Sequence, residues 1–260
     1  MIKRELHILL TAIMFYTRIK VPKNMAFSDE MLNAATRYFP FIGLIVGGTG
    51  ALVFWTLYMF LPLTLAIIFS MATTVLLTGA FHEDAFADFC DGFGGGYTSD
   101  RILEIMKDSH IGTYGAVGLI FMLLSKFLCI SSFSIFEIPI MLVTAHAFSR
   151  FMPVCLIYTS EYVRKDALSK SKPIGHKGSI TTFIVAGIFG TAGFFFISWK
   201  EALVILALSL PLFIYFRWYV TRKLGGYTGD VLGALQQLTE IAVYVGAIIA
   251  KQAVSISSPL

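Results

Sequence analysis

"FPFIGLIVGGTGALVFWTLYMFLPLTLAIIFSMATTVLLTGAFH", residues 39–82, contains no Asp, Glu, Lys or Arg. A helix needs roughly 20 apolar residues to cross the hydrocarbon core of a bilayer. This stretch holds two such segments, 39–60 and 62–82. They meet at Pro62 with almost no room for a loop, so the reading is a membrane-spanning helical hairpin. The strands of a membrane barrel alternate apolar and polar residues, and this run does not.

Outward from the hairpin the same texture recurs at about 113–135, 138–159, 180–198, 202–220 and 233–250. The whole chain is 57% hydrophobic and 14% charged, where a soluble domain carries about a quarter charged residues. The fold class is therefore all-α: a polytopic integral membrane helical bundle of about seven transmembrane helices. An amphipathic N-terminal helix (about 3–16) lies on the membrane face or against the bundle. No tandem repeat or low-complexity segment divides the chain, which reads as a single membrane-embedded catalytic domain, 1–260. The N-terminus lacks the small-residue pattern of a cleavable signal peptide. Cys90, Cys129 and Cys155 show no CxxC spacing, which argues against a disulfide framework or a zinc site.

The charges have an order. Lys3, Arg4, Arg18, Lys20, Lys23 and Arg37 precede the first span, and Arg101 and Lys107 lie between the second and third. Arg164, Lys165, Lys170, Lys172 and Lys177 fill the 160–179 loop, and Arg222 and Lys223 open the 221–232 loop. With seven spans these regions share one side, which the positive-inside rule places in the cytoplasm. The net charge of +4 thus reads as topology, with no nucleic-acid partner. Every polar motif of note faces that side.

The acid-rich stretch 81–100, "FHEDAFADFCDGFGGGYTSD", follows the hairpin directly. Asp84, Asp88 and Asp91 are spaced i, i+4, i+7, which on a helix puts them on one face. Unpaired, three such carboxylates repel one another. A hard divalent cation, Mg²⁺, removes the repulsion and is commonly shared with substrate phosphates. The competing reading is a solvated helix face at a membrane exit. His82 is either a further site residue or an ordinary hydrogen-bonding histidine. Gly94, Gly95 and Gly96 suit a sharp turn whose N–H groups bind phosphate oxygens. Ser99 or Asp100 is the expected cap of a short helix from Arg101 to about Asp108. Arg101 and Lys107 add positive charge for a diphosphate, and Asp108 adds a carboxylate.

Three further features stand out. Arg150 lies in an apolar segment, where a charge is costly and is either functional or paired; His146 is one turn away on the same face. Lys126 is a second charge in an apolar setting. The turn at Gly225–Asp230 opens the last span. Thr228 and Asp230 are candidate binding residues there, and Asp230, Gln237 and Glu240 share a helix face. A polar seam between helices is the alternative. The pairs Gly43/Gly47 and Gly190/Gly193 fit close helix packing.

The stretch 79–115, with "FYTRIKVP" (15–22), "RYFPFIGLIVG" (37–47) and "LGGYTGDVLGALQQLTE" (224–240), resembles the cobalamin synthase family, the adenosylcobinamide-GDP ribazoletransferases. Ala85 and His110 stand where that family usually has Gly and Arg. The resemblance implies a Mg²⁺-dependent transfer at the bacterial cytoplasmic (inner) membrane. Its substrates would be adenosylcobinamide-GDP and α-ribazole or its 5′-phosphate, with the lipid bilayer as surroundings and a homo-oligomer compatible with the sequence. It also implies that Asp84, Asp88 and Asp91 hold the metal. One of them, or Asp108, takes the hydroxyl proton, and Arg101, Lys107 and Arg150 face the diphosphate.

Two other readings compete. A CDP-alcohol phosphatidyltransferase would share the metal-on-diphosphate logic. Its Asp-x-x-Asp-Gly-x-x-Ala-Arg order differs from Asp84-x-x-x-Asp88-x-x-Asp91-Gly92. A transporter would show internal repeats and midplane charges on broken helices.

Overall fold

The computed structural model describes residues 2–22, 28–163 and 178–257. Arg164, Lys165, Lys170, Lys172 and Lys177 lie outside them, as does Lys23. The described residues form eleven α-helices, and no β-strand is found among them beyond a single bridge between Tyr162 and Tyr227. In chain order these are α1 (Ile2–Tyr16), α2 (Asp29–Ala35), α3 (Phe39–Tyr58), α4 (Leu63–Thr78), α5 (Phe81–Gly95) and α6 (Ser99–Ile105). They continue with α7 (Thr113–Ser131), α8 (Glu137–Thr159), α9 (Ile180–Thr191), α10 (Trp199–Leu224) and α11 (Gly229–Ser257).

Five helical stretches are long and apolar enough to cross a membrane: Asp29–Tyr58, Thr113–Ser131, Glu137–Thr159, Trp199–Leu224 and Gly229–Ala253. The chain is a polytopic membrane protein. Two of the expected seven spans differ. The segment 62–82 ends as α4 at Thr78, and the chain then turns by 87° into α5. Gly79 and Ala80 take left-handed backbone angles, φ 68° and 58°, which a helix cannot continue through. The segment 180–198 is α9, followed by a tighter 3₁₀ stretch, Ala192–Phe196. It is apolar but too short to pass the same test.

The hairpin at Pro62 is present: α3 stops at Tyr58, and Pro62 caps α4. Glycine governs how closely the spans approach. A Cβ on Gly43 would sit 2.2 Å from the His146 carbonyl oxygen, and one on Gly47 would sit 2.7 Å from that of Leu142. These two positions bring α3 against α8 backbone to backbone. Gly190 and Gly193 let the α9 segment approach α8, against the Phe151 side chain and the Thr144 Cα. α8 is buried along most of its length and forms the centre of the bundle with α11.

α1 docks at the end of the bundle where α3 starts. Glu5 accepts hydrogen bonds from Arg37 Nη1 (2.9 Å) and Tyr38 Oη (2.9 Å). That end also carries Arg101, Lys107, Arg222 and Lys223. At the opposite end, Glu137, Lys200, Glu201 and Lys251 surround an opening beside the turn into α10.

Candidate active site

α5 carries the acidic motif, and its surroundings on both sides explain its placement. It starts after the left-handed turn with no side-chain cap. On one flank it packs against α11, where a Cβ on Gly233 would meet the Ala85 Cβ at 2.4 Å. Only glycine at 233 admits Ala85. Gln237 Nε2, four residues on, donates to Glu83 Oε1 at 2.9 Å. The two helices therefore run antiparallel, and Asp230, three residues before Gly233, lies on the Asp88 side of Ala85.

The three carboxylates share a face but not an environment. Asp84 is exposed and Asp88 half-buried. Asp91 is buried, and both of its oxygens are engaged: Oδ2 accepts the Gly112 N–H at 2.7 Å and Oδ1 the Gly115 N–H at 2.8 Å. Helix N-termini leave backbone donors unsatisfied, and the N-cap of α7 is Gly112, which has no side chain to satisfy them. Asp91 supplies that cap from another helix. Gly112 and Gly115 are required there, because a Cβ on either would collide with the Asp91 carboxylate at 2.4 and 2.3 Å.

The glycine run closes α5 rather than opening a loop. Gly94 and Gly95 form its last turn, and the Gly96 N–H donates to the Gly92 carbonyl at 2.9 Å. These amides are spent within the helix, which corrects the expectation of a free phosphate-binding turn at Gly94, Gly95 and Gly96. The absent side chains serve packing instead: the Tyr114 ring lies over Gly94, and Ile102 lies against Gly96. The short helix that follows is α6. Its cap is the Thr98 hydroxyl, which accepts from the Arg101 N–H, in place of Ser99 or Asp100.

A cleft of about 470 Å³ opens where α5 ends, lined by Asp91, Gly95, Arg101, Asp108, His110 and Tyr114 among others. The structure thus brings Arg101 and Asp108 together beside the acidic helix. Arg101 reaches Glu104 at 2.7 Å, an exposed pair that contributes little to stability and leaves the guanidinium available. The His110 ring and backbone N–H bond the Asp108 carboxylate, at 2.6 and 3.0 Å. These bonds hold the Asp108 carboxyl below its ordinary range. Lys107 is exposed on the turn after α6. Thr228 is buried and caps α11, its hydroxyl accepting from the Val231 N–H at 3.3 Å. Asp230 is half-buried in the first turn of that helix.

His82 and Arg150 lie elsewhere. His82 is buried, with its ring stacked on Phe39. Arg150 is 2% exposed, donates to the His146 carbonyl at 2.9 Å and lies over the Phe39 ring. It lines a small interior cavity of about 20 Å³ with Glu83, Lys126, His146, Gln237 and Glu240. Lys126 contacts Glu240 at 3.0 Å and donates to Gln237. Gln236 joins Glu240 (2.8 Å) to Ser149 (2.9 Å). Glu83 was not singled out in the sequence, because it falls off the face shared by Asp84, Asp88 and Asp91. Its position in the first turn of an acidic helix was the only signal.

The family model described as cobalamin-5-phosphate synthase matches residues 8–248. The chain belongs to the cobalamin-5-phosphate synthase family. Curated relatives named adenosylcobinamide-GDP ribazoletransferase agree along nearly the whole length. The protein of Shewanella piezotolerans is 39% identical over 246 residues, covering 94% of this chain and 95% of its own. That of Vibrio cholerae is 41% identical over 246 residues, covering 94% of each. That of Shewanella amazonensis is 41% identical over 250 residues. No solved structure matches the chain. The match to the family spans α1 to most of α11, so the acidic helix, the cleft and the buried polar side chains all lie within it. Among the described residues no group of three or more His, Cys, Asp and Glu side chains is gathered as a metal cluster. Asp84, exposed, and Asp88, half-buried, are two carboxylates one turn apart on α5. That set fits Mg²⁺, which takes one or two carboxylates and completes its shell with water and substrate phosphate.

Proposed function

We propose that this protein transfers the cobinamide-phosphate group of adenosylcobinamide-GDP to α-ribazole or its 5′-phosphate. The observation that carries the substrates is the likeness over residues 8–248 to relatives bearing that name. An α-ribazole ribose hydroxyl attacks the phosphorus on the cobinamide side of the diphosphate. A new O–P bond forms, the P–O bond to the GMP phosphate breaks, and GMP leaves with the electron pair. The hydroxyl proton passes to a carboxylate.

Asp84 and Asp88 are the residues that would hold Mg²⁺. The ion supplies neutralisation of the diphosphate charge and polarisation of its phosphorus. Arg101, which lines the cleft, and Lys107, exposed on the turn after α6, attract and orient the anionic donor, and such positioning supplies much of the catalysis in phosphoryl transfer. Asp91 holds the α7 terminus against α5 and so shapes the cleft wall. Asp230, on the Asp88 side of the α5–α11 contact, completes the site, and Thr228, buried, fixes the start of α11 as its cap. A general base works best with a pKa near the working pH. The acceptor is Asp108, which lines the cleft, or a carboxylate of α5. The positive-inside rule orients the basic end, and with it the cleft, to the cytoplasm of a bacterial inner membrane. Residues 1–260 act as one catalytic unit.

The test is GMP release by protein in lipid nanodiscs, supplied with adenosylcobinamide-GDP, α-ribazole and Mg²⁺. Formation of GMP and a cobalamin supports the reading. Turnover only with a CDP-alcohol donor would replace it with the phosphatidyltransferase reading.

A further inference from the structure

The bundle interior holds a continuous run of polar side chains to which the proposed mechanism gives no role. Glu83 on α5 accepts from Gln237 on α11 (2.9 Å), and Gln237 accepts from Lys126 on α7. Lys126 pairs with Glu240 (3.0 Å), which Gln236 joins to Ser149 on α8. Lys126 and Glu240 lie about 20 and 16 Å along their helices from the basic end, at 1.5 Å per residue. Both are almost fully buried. Charges at such depth are costly and are kept for a purpose. A buried ion pair is no net stabiliser compared with apolar packing, and its attested use is to specify one arrangement.

The end of this run on α5 is Glu83, the neighbour of Asp84. α5 needs such a hold. It is uncoupled from α4 by the left-handed residues Gly79 and Ala80, and its N-terminus has no side-chain cap. At its far end Asp91 ties α5 to α7, and Phe89 and Phe93 pack on α10; the turn that carries Asp84 lies about 10 Å from the Asp91 tie at 1.5 Å per residue, and there Glu83 is bonded to Gln237. A rotation of about 20° would carry a carboxylate at roughly 5–6 Å from the axis by about 2 Å. Displacements of about 1 Å at a reacting centre can cost on the order of 100-fold in rate.

We infer that Gln237, backed by Lys126 and Glu240, is a positioning residue: through Glu83 it sets the rotation of α5 and aims Asp84 and Asp88 at the substrate diphosphate. This rests on the proposed transfer reaction for the role of Asp84 and Asp88, but the mechanical link does not.

The experiment compares Gln237→Leu, Gln237→Glu and the reciprocal exchange Glu83→Gln/Gln237→Glu with the parent in nanodiscs. It reads kcat and KM for GMP release together with hydrogen exchange of the segment 84–96. Gln237→Leu removes the link. Gln237→Glu sets two carboxylates against each other, and the exchange restores a carboxylate–amide pair at unchanged charge. Both single variants are expected to lose about 10-fold or more in kcat, with KM for the donor within about 3-fold. Exchange at 84–96 should rise, and the double variant should recover both readings. Singles with parental kcat and parental exchange would overturn the inference. So would a double variant as impaired as Gln237→Glu, because a merely structural residue gives no rescue. If Gln237→Leu does not fold, the rescue pair still decides. If the parent itself does not turn over, the transfer reading fails, and the exchange readings alone confirm or overturn the link.

Discussion

Glu83 and Asp91 hold α5 near its two ends. Glu83 takes a hydrogen bond from Gln237 on α11 at 2.9 Å, and Asp91 takes two from the start of α7 at 2.7 and 2.8 Å. The two acids are eight residues apart, about 12 Å along the axis. Asp84 and Asp88 lie between them, the first exposed and the second half-buried. The acidic helix thus divides its charges between fixing its own position and presenting chemistry.

The first consequence concerns Asp91. Asp91→Ala removes a charged acceptor from two backbone donors, each bond worth about 1.5–3 kcal/mol to a charged group. A loss of about 3–6 kcal/mol in stability is expected, and about half that for Asp91→Asn, which keeps one acceptor oxygen. Denaturant unfolding in mild detergent measures it. An unchanged midpoint for Asp91→Ala would show that these bonds do not hold the α7 terminus.

A second prediction concerns the closest helix contact. Gly43→Ala places a methyl group 2.2 Å from the His146 carbonyl oxygen. Forcing α3 from α8 should cost about 1–3 kcal/mol or more, as overpacking does. Gly48→Ala is the control, since nothing lies within 4 Å of its Cβ. Equal unfolding midpoints for the two variants would contradict the close packing of α3 on α8.

Much of this was legible in the sequence because the signals are local. Pro62 between two apolar runs marks the hairpin, and Gly43 and Gly47 mark a helix contact at their own spacing. The 4- and 7-residue steps from Asp84 place it, Asp88 and Asp91 on one face. The links that sort these acids are long-range and were not legible. Asp91 meets backbone amides 21 and 24 residues away, and Glu83 meets a glutamine 154 residues away. The break at Ala80 was also hidden, because alanine ordinarily favours the right-handed helix and nothing in its identity signals a left-handed residue. Arg150 and Glu240 were recognisable as costly charges. Their partners depended on how α7, α8 and α11 pack.

Asp108 gives a third prediction. The hydrogen bonds from His110 favour its charged form, so its folded carboxyl titrates below the unfolded one. That preference is present at neutral pH and is lost only as pH falls through the lowered folded value. Asp108 is therefore charged at neutral pH, and if an α5 carboxylate takes the proton, Asp108→Asn keeps kcat within about 10-fold of the parent, below the effect of removing a general base. A loss as large as that of an α5 variant would make Asp108 the proton acceptor.

The central claim is that Asp84 and Asp88 serve substrate while Asp91 serves structure. The measurement that bears on it most directly is GMP release from adenosylcobinamide-GDP and α-ribazole by Asp84→Asn and Asp88→Asn in nanodiscs, each titrated with Mg²⁺ and with EDTA beside the parent. Asp84→Asn should unfold at the parental midpoint, and both variants should lose activity by at least about 100-fold and leave the remainder needing more Mg²⁺. EDTA should silence the parent. Parental rates from either variant, or full parental activity in EDTA, would contradict the account.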